Sequence, residues 1–539
     1  MSLAFPRLRA AKRRGRGGGR LALPRLAALG AVAGAAAYLL VELVPDIHSK
    51  PLFEDESVSG LIGARPFGEI VATTMWDRGG APLHFLLVHA AFLADASPET
   101  LRWISVVFAV GTVLVCYDLG RRLDGRAAGV AAAIVAAGSG MLAVYGSFGR
   151  MYALFAFAAA LAVDLFVRCL DRPTTRTVAA ASAAAWLLPA VHPYGGIVVA
   201  VEAAVALAVW RGRPLRPAWP AALAVLAMAP FAVADLRLAD RFEVSSGQSG
   251  RLATWDEARH QLEDALRGFG GGSGWTLVVL LALAAAGLLI LTRRRPALVA
   301  WALVAFVGPP LLSTLVRTGR APDLSPRHLI FALPFFAAFV GVAVARLPAR
   351  PLALAGLAVV AALSTQGIHD PRSITYTAAL GSEEAVAAPA AWLRENVQPD
   401  DVLYPYSSVF LAALPEAGEA RGLPRAQTQS LLAALDRVDY PASAVFIAIP
   451  IGTTEVHLSE FQTPSRDLRV VPFRSWLLIR AAGPFYSEAA VLGTIADVLT
   501  HARSALHEPA PAPLAGWFEL NLSVVCKALA KRGSNCGTE

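Results

Sequence analysis

Charged residues are scarce in this chain. Asp, Glu, Lys and Arg make up 16% of its 539 residues, hydrophobic residues make up 56%, and the mean hydropathy is +0.52. A soluble globular protein has about 25% charged residues, so the composition excludes that class and indicates a membrane protein. The net charge of +8 does not indicate nucleic-acid binding, because the basic residues form short clusters between apolar runs rather than one basic domain.

Cysteine is also scarce, and the four cysteines are too few for a disulfide framework. Cys116 and Cys169 lie within or at the end of apolar stretches, which is typical of small core residues. Cys526 and Cys536 lie close together near the C-terminus and could pair if that end is outside the cytoplasm. No internal repeat is visible, which disfavours an inverted-repeat transporter.

The N-terminal region contains arginines and one lysine but no acidic residue before the first apolar run, which extends from Leu21 to Leu43. That run is long enough to span a bilayer, and no small-residue cleavage site clearly ends it. The sequence therefore predicts a basic cytoplasmic tail at residues 1–20, followed by an uncleaved membrane helix.

Ten further apolar segments are candidate membrane spans, which makes eleven between residues 21 and 367. They lie at 101–119, 127–146, 151–168, 177–191, 194–210, 218–234, 275–292, 297–316, 328–345 and 351–367. Every second connection is a short turn rich in arginine, as the positive-inside rule requires. With the N-terminus inside, the odd count places residues 368–539 outside the cytoplasm of a multi-pass protein of the cell (plasma) membrane.

The same scheme places two loops of the membrane domain outside, at residues 44–100 and 235–274. The segment from Trp255 to His260 within the second loop has the pattern of a surface helix. After residue 368 the apolar runs shorten. Short runs at 401–404, 444–449 and 476–479 predict strands, whereas 387–396 and 489–501 predict helices. The sequence thus predicts a small α/β domain at residues 368–539.

Acidic and basic side chains at the outer ends of the helices are the candidates for function. Asp55 and Glu56 form an acidic pair in the first outer loop, where a carboxylate pair next to lipid is costly, although solvated loop acids are the alternative. Arginines at that level oppose the positive-inside tendency and suggest an anionic partner, although snorkelling to lipid phosphate is the alternative. Other candidates at outer ends or turns are Arg150, Tyr152, His192, Tyr194, Arg327, His328 and His84, although a single histidine such as His84 is more often a packing or interfacial group.

These residue types suit one reaction. A carboxylate acts as a general base toward a hydroxyl group, and arginine forks bind phosphate oxygens and stabilise a leaving phosphate. An apolar groove between helices holds a lipid tail. Together they favour glycosyl transfer from a polyprenyl-phosphate sugar to an acceptor hydroxyl at the outer face, with a protein, lipid or glycan as the acceptor.

The order of motifs over residues 40–215 resembles the GT-C superfamily of glycosyltransferases. The likeness is to its family-39-like branch, which includes protein O-mannosyltransferases and lipid A aminoarabinose transferases. It rests on Asp55-Glu56, Pro82-Leu83-His84-Phe85, Gly120-Arg121-Arg122-Leu123 and the run from Arg150 to Leu154. The chain departs from the family at His84, where an aromatic residue is commoner, and at Arg78-Gly79-Gly80.

This resemblance implies roles for the candidate residues. Asp55 would deprotonate the acceptor, and Glu56 would orient the acceptor or the base. Arg150, Tyr152 and the Arg327-His328 pair would hold the polyprenyl phosphate, while His192 and Tyr194 would line the sugar site. Direct displacement with inversion at the anomeric carbon would follow.

Two alternatives remain open. One is a transporter or lipid flippase, for which Asp164 and Glu202 are the main acids within apolar stretches. The other is a non-catalytic scaffold that binds a partner. The residues do not require a metal cofactor. A divalent metal is possible if outer-loop acids such as Asp240, Glu243 and Asp256 bind one, as in oligosaccharyltransferase-like enzymes. No spacing typical of metal ligands stands out among them.

Overall fold

A computed structural model describes most of the chain. The described residues are 23–50, 52–77, 80–210, 218–241, 255–272, 274–315, 325–369, 384–425, 427–452, 467–505 and 512–536. The predicted cytoplasmic tail at 1–20 lies outside them, as do Glu243, Arg317 and Arg320 from the outer loops.

Helices occupy nearly all described residues before position 369. They are α1 (Arg25–Ser49), α2 (Glu54–Gly63), α3 (Phe67–Asp77), α4 (Leu83–Phe92), α5 (Pro98–Asp124), α6 (Arg126–Ala137), α7 (Gly140–Gly146), α8 (Tyr152–Asp171), α9 (Thr175–Val191), α10 (Gly195–Trp210), α11 (Trp219–Arg241), α12 (Trp255–Gly270), α13 (Gly274–Arg294), α14 (Pro296–Leu315), α15 (Leu333–Ala345) and α16 (Arg350–Ile368). A 3₁₀ segment, Pro326–Ala332, leads directly into α15. Each predicted span coincides with a helix or with a pair of adjoining helices.

Six helical stretches in the described part of the chain are long and apolar enough to cross a membrane. They are Arg25–Ser49, Pro98–Asp124, Tyr152–Asp171, Trp219–Arg237, Gly274–Arg294 and Pro326–Ala345, and the pair α6 and α7 makes a seventh if it forms one span. Shorter apolar helical stretches are Leu83–Phe92, Gly195–Trp210, Pro296–Gly308 and Arg350–Gln366. The chain is a multi-pass membrane protein, and the count of eleven spans stays a prediction.

The predicted span at 127–146 is broken rather than continuous. Helices α6 and α7 meet at Gly138 and Ser139 with a bend of 59°. Gly138 is required there because a Cβ would lie 2.2 Å from the Cβ of Ser364 in α16. The Ser139 hydroxyl donates to the carbonyl of Gly268 at 2.9 Å, which ties the break to α12.

The helix ends that adjoin the arginine-rich turns are held together by ion pairs. Asp164 of α8 accepts from Arg122 of α5 at 2.9 Å and from Arg168 at 2.8 Å. Arg346 and Arg294 both pair with Asp124. These contacts place the basic turns on one side of the helical domain, as the alternating scheme requires, while the orientation of that side in the membrane stays a prediction.

The first predicted outer loop, 44–100, folds into the three short helices α2, α3 and α4. Helix α12 extends to Gly270, well beyond the predicted segment, because the charged and apolar positions continue to alternate with helical periodicity through Arg267.

A mixed five-stranded sheet follows in the C-terminal part. Its strands are β1 (Val402–Tyr404), β2 (Arg421–Gly422), β3 (Ala442–Pro450), β4 (Leu468–Pro472) and β5 (Trp476–Phe485), in the order β2-β1-β3-β5-β4. The surrounding helices are α17 (Glu384–Asn396), α18 (Ser408–Ala412), α19 (Glu416–Glu419), α20 (Thr428–Leu435), α21 (Glu488–Ala505) and α22 (Ala512–Lys531). The three predicted strands and two predicted helices are present, and a disulfide joins Cys526 to Cys536.

The two faces of this sheet have different partners. Val445, Ile447 and Ile479 point to a core shared with α20, α21 and α22. Phe446 and Leu478, which alternate with them, belong to a second core that includes α17, α18 and residues of α2, α4 and α5. The α/β domain is therefore packed onto the short helices that carry Asp55 and Glu56.

A buried carboxyl group in the α/β domain predicts a pH-dependent stability. Asp401 is buried, and its Oδ2 accepts from the backbone N–H of Gln398 at 2.7 Å. Burial, with Asp400 nearby, raises the pKa of Asp401 from its usual value to about 6. Since this folded-state pKa exceeds the unfolded one, the contribution to stability is complete below about pH 4 and is lost as the pH rises through 6.

Asp401→Asn should therefore leave the thermal unfolding temperature almost unchanged at pH 4 and raise it at pH 7.5. The free-energy gain grows by at most about 1.4 kcal/mol per pH unit between those limits. Unfolding of the full chain followed by tryptophan fluorescence measures it, with the exposed Asp497→Asn as the control. A gain that is equal at both pH values would contradict the pKa assignment.

Candidate functional site

Three consecutive acids open α2, and each of them pairs with an arginine from a different part of the chain. Glu54, Asp55 and Glu56 lie in the first turn, where the helix dipole favours negative charge. Glu54 pairs with Arg425 of the α/β domain. Asp55 and Glu56 pair with arginines of the helical domain, so the start of α2 is fixed from three directions.

Glu56 is engaged by a buried arginine clamp. Arg102 of α5 donates through Nε and Nη2 to its two carboxylate oxygens, both at 2.8 Å, and both side chains are almost fully buried. The backbone N–H groups of Gly149 and Phe53 complete its coordination at 2.9 and 3.0 Å. Arg102 also donates to the carbonyl of Ile47 at 2.7 Å, so one ion pair joins α1, α2, α5 and the loop before α8.

Asp55 lies at the edge of this clamp and is partly open. Its Oδ2 accepts from Nη1 of Arg327 at 3.1 Å, and the two side chains are 31% and 32% exposed. An adjacent guanidinium favours the ionised carboxylate. Asp55 is therefore a partly exposed carboxylate, whereas Glu56 is enclosed by its partners.

Arg150 supplies a second cation beside Asp55 and Arg327. Its Nη1 lies 3.4 Å from the hydroxyl of Ser59 in α2, and its Nε is shielded from solvent with no hydrogen-bond partner among the described residues. The Nε of Arg327 is likewise shielded from solvent and has no hydrogen-bond partner among the described residues. Buried N–H donors are normally paired, so this pair of guanidinium groups is suited to an anionic ligand.

Aromatic rings and imidazoles form one cluster next to these cations. The guanidinium carbon of Arg327 lies 5.5 Å from the ring centre of buried Tyr152. His328 stacks on Tyr194 with ring centres 4.7 Å apart and lies 5.2 Å from His192, which in turn lies 5.9 Å from Tyr152. The structure thus brings the predicted residues of three separate outer ends into a single site.

The two imidazoles are held in the same tautomer. Nδ1 of His192 accepts from the backbone N–H of Tyr194 at 3.1 Å, and Nδ1 of His328 accepts from that of Ser325 at 3.1 Å. In a neutral imidazole the other nitrogen then carries the proton. Both Nε2–H groups are available as neutral donors to hydroxyl or phosphate oxygens.

His84 lies behind this site rather than within the ring cluster. It is buried, and neither ring nitrogen makes a hydrogen bond of ordinary geometry to a described residue. Its ring packs edge-on against Phe85, with centres 5.8 Å apart, and it feels the charge of Arg150. Its predicted part in substrate binding stays a prediction.

Sequence reasoning missed Arg102 and Arg425, the partners of Glu56 and Glu54. The one available signal for Arg102 was an arginine near the start of an otherwise apolar helix, where a charge needs a partner. Across the described ranges, no group of three or more His, Cys, Asp or Glu side chains could hold a metal ion. Of the three acids considered for a metal, Asp256 is exposed on α12, Glu243 lies outside the described residues, and the side chain of Asp240 is not described.

The fold is shared with solved glycosyltransferases. ArnT from Cupriavidus metallidurans, in a structure bound to undecaprenyl phosphate, aligns with a TM-score of 0.56 and 16% identity over 84% of this chain and 97% of its own. The mycobacterial arabinofuranosyltransferase AftD aligns with a TM-score of 0.50 and 16% identity over 86% of this chain and 40% of its own. No family model matches the sequence, and a search of curated proteins found no match.

At these identities the comparison establishes architecture alone. The chain has the GT-C fold, a bundle of membrane helices with helical connecting loops and, here, a small C-terminal α/β domain. The GT-C fold expected from the order of sequence motifs is confirmed.

Proposed function

We propose that the chain is a membrane glycosyltransferase that moves a sugar from a polyprenyl-phosphate sugar to an acceptor hydroxyl at the outer membrane face. The observation that carries the proposal is the meeting of an accessible carboxylate, Asp55, with two guanidinium groups, Arg150 and Arg327, whose Nε–H groups have no hydrogen-bond partner among the described residues. The binding of undecaprenyl phosphate by ArnT, a protein of the same fold, supports a lipid-phosphate donor.

Each residue then has a task in an inverting displacement. Asp55 removes the proton from the acceptor hydroxyl, whose oxygen forms a bond to the anomeric carbon as the bond to the phosphate oxygen breaks. Arg150 and Arg327 stabilise the charge that develops on the leaving lipid phosphate. Glu56 is a positioning residue, since Arg102 and two backbone N–H groups enclose its carboxylate.

The imidazole cluster is suited to binding the sugar and the phosphate group of the donor. Tyr152 with Arg327 and His328 lies on the phosphate side, while His192 and Tyr194 line the sugar side. The Nε2–H groups of both histidines donate hydrogen bonds without adding charge. This arrangement supports donor recognition.

A donor assay tests the proposal. The full chain in lipid nanodiscs is offered radiolabelled polyprenyl-phosphate sugars, mannose and arabinose first, with a membrane extract as the source of acceptor. We expect label to leave the lipid and appear in a new product. If no polyprenyl-phosphate sugar in an extended panel is consumed, the proposed donor class is wrong.

Arg327→Gln should weaken donor binding and also slow transfer from the bound donor, because the proposed contact to phosphate is present on binding and strengthens as negative charge develops. Loss of one charged hydrogen bond costs about 1.5–3 kcal/mol, a rise in KM for the donor of about tenfold to a hundredfold. Titration with unlabelled undecaprenyl phosphate as a competitor measures the same loss without turnover. The exposed Arg503→Gln is the control for charge removal, and equal competition in Arg327→Gln and the control would remove Arg327 from the phosphate site.

A further inference from the structure

Tyr145, in the short helix α7, is a largely buried phenol beside the candidate site, and the function proposed above gives it no task. It is 6% exposed, and its ring centre lies 4.8 Å from that of Tyr152 and 6.0 Å from that of Phe148. The ring of Tyr152 also contacts the guanidinium group of Arg327, which is bonded to Asp55. Tyr145 is therefore separated from the charged pair by a single ring.

The hydroxyl group of Tyr145 has no hydrogen-bond partner among the described residues, and it is not fully shielded from solvent. The charges of Arg327 and Asp55 both act on it. The hydroxyl group of the neighbouring Tyr152, by contrast, accepts a hydrogen bond from Arg150. A buried phenol normally finds a partner for its O–H group. If packing were the only role of Tyr145, phenylalanine would fill the position at lower cost.

Helix α7 holds the ring of Tyr145 in place from both of its ends. At its start, the hydroxyl group of Ser139 donates to the carbonyl of Gly268 in α12 at 2.9 Å. At its end, Gly146 packs so closely on α5 that a Cβ would lie 3.0 Å from the Cβ of Ala109. A hydroxyl group on a backbone that is fixed in this way is preorganised to meet a ligand.

A phenol is well suited to an anionic oxygen in a site that already contains two guanidinium groups. It donates one hydrogen bond and adds no charge. In the function proposed above, Arg150 and Arg327 hold the donor phosphate. A charged phosphate oxygen forms stronger hydrogen bonds than a neutral sugar hydroxyl group, so the phosphate is the favoured partner for the O–H group of Tyr145.

We propose that the hydroxyl group of Tyr145 donates a hydrogen bond to a phosphate oxygen of the polyprenyl-phosphate donor. This role rests on the function proposed above. Tyr145 is then a third ligand of the phosphate group, beside Arg150 and Arg327, and it keeps its proton throughout the reaction. The hydrogen bond strengthens as negative charge develops on the leaving phosphate.

Tyr145→Phe tests the contact, because it removes the hydroxyl group and keeps the ring. The full chain in phosphatidylcholine nanodiscs is titrated with undecaprenyl phosphate, and thermal unfolding reports binding without turnover. We expect the dissociation constant to rise about tenfold, as for the loss of one hydrogen bond to a charged group. Undecaprenol, the neutral alcohol without phosphate, should show no difference between wild type and Tyr145→Phe.

Two control variants separate a lost ligand contact from a lost structural contact. Without ligand, Tyr145→Phe should unfold at or above the wild-type temperature, because its hydroxyl group has no described partner to lose. Tyr404→Phe removes a buried hydroxyl group that donates to Oδ1 of Asn521 at 2.8 Å. It should therefore lower the unfolding temperature and leave the dissociation constant unchanged. The exposed Tyr486→Phe should change neither quantity.

Several outcomes would overturn the proposal. These are no binding of undecaprenyl phosphate by wild type, equal dissociation constants in wild type and Tyr145→Phe, or an equal loss of binding with undecaprenol. A lower unfolding temperature of ligand-free Tyr145→Phe would do the same, since it would give the hydroxyl group a structural partner.

The transfer assay distinguishes this proposal from the proposed function. If Tyr145→Phe binds undecaprenyl phosphate less tightly but wild type consumes no polyprenyl-phosphate sugar, the phosphate contact stands and the proposed transfer fails. If wild type transfers sugar and both proteins bind undecaprenyl phosphate equally, the proposed function stands and Tyr145 is not a ligand of the phosphate.

Discussion

Asp55→Asn should reduce transfer from a polyprenyl-phosphate sugar by about 10²–10⁴-fold, the usual contribution of a general base. The amide keeps the size of the carboxylate and can still accept a hydrogen bond from Arg327, which lies 3.1 Å from Oδ2. It cannot remove a proton from the acceptor hydroxyl. The rate of donor consumption by wild type and variant in nanodiscs measures the effect.

The matched control is Asp256→Asn, which removes an exposed carboxylate from α12. It should consume donor at the wild-type rate. Competition by undecaprenyl phosphate should be similar in Asp55→Asn and wild type, since the arginines and imidazoles remain in place. Equal transfer rates in Asp55→Asn and wild type would show that Asp55 is not the base.

Glu56→Gln should destabilise the protein by about 3–5 kcal/mol, because it leaves the buried Arg102 guanidinium without its anion. The same change replaces one acceptor oxygen by an amide NH₂ group, so only one of the two bonds from Gly149 and Phe53, which close the loop before α8 and the start of α2, can be kept. We therefore expect a lower thermal unfolding temperature together with reduced transfer. Unfolding in nanodiscs, followed by fluorescence, measures the first effect.

The double variant Glu56→Gln/Arg102→Met separates charge from packing. It removes the unpaired cation as well, so it should recover part of the stability lost in Glu56→Gln. The exposed Glu395→Gln, in α17, controls for the loss of one acid. An unchanged unfolding temperature in Glu56→Gln would contradict the structural role of the clamp, and unchanged transfer would remove Glu56 from the positioning of the site.

Much of the architecture follows from the sequence for physical reasons. Apolar length and alternating basic turns located the membrane helices, since these features reflect the bilayer itself. The break between α6 and α7 was not predictable, because it depends on the close approach of Ser364 to Gly138. Strands β2 and β4 were missed because one has two residues and the other is half-buried.

In the candidate site, the identity of most residues was predictable from the sequence, whereas their pairing was not. Charged residues at the outer helix ends are conspicuous in an apolar chain, and seven of the nine predicted residues meet around Asp55, with His84 and Glu56 behind them. Their pairing was not predictable: Arg327 lies 272 residues from Asp55, and Arg425 lies 371 from Glu54. The packing of the helical domain brings Arg327 to Asp55, and the packing of the α/β domain onto α2 brings Arg425 to Glu54.

One of the two acids on which the transporter alternative depends is engaged in ion pairs in the structure. Asp164 is bound by Arg122 and Arg168 at the end of α8 that faces the basic turns. Glu202 in α10 is buried, with one oxygen lacking a partner among the described residues. One isolated carboxylate in the helical bundle does not form a polar pathway across a membrane, whereas the cations and rings around Asp55 lie together in one site.

A doubly labelled donor tests the central claim most directly. Polyprenyl-phosphate sugar carrying ¹⁴C in the sugar and ³²P in the phosphate is supplied with acceptor to the full chain in nanodiscs. We predict that the sugar label moves to the product while an equal amount of phosphate label stays on the lipid, and that both remain in place with Asp55→Asn. Transfer of both labels together, or an unchanged donor with every sugar and acceptor tested, would contradict a glycosyltransferase that uses a lipid-phosphate leaving group.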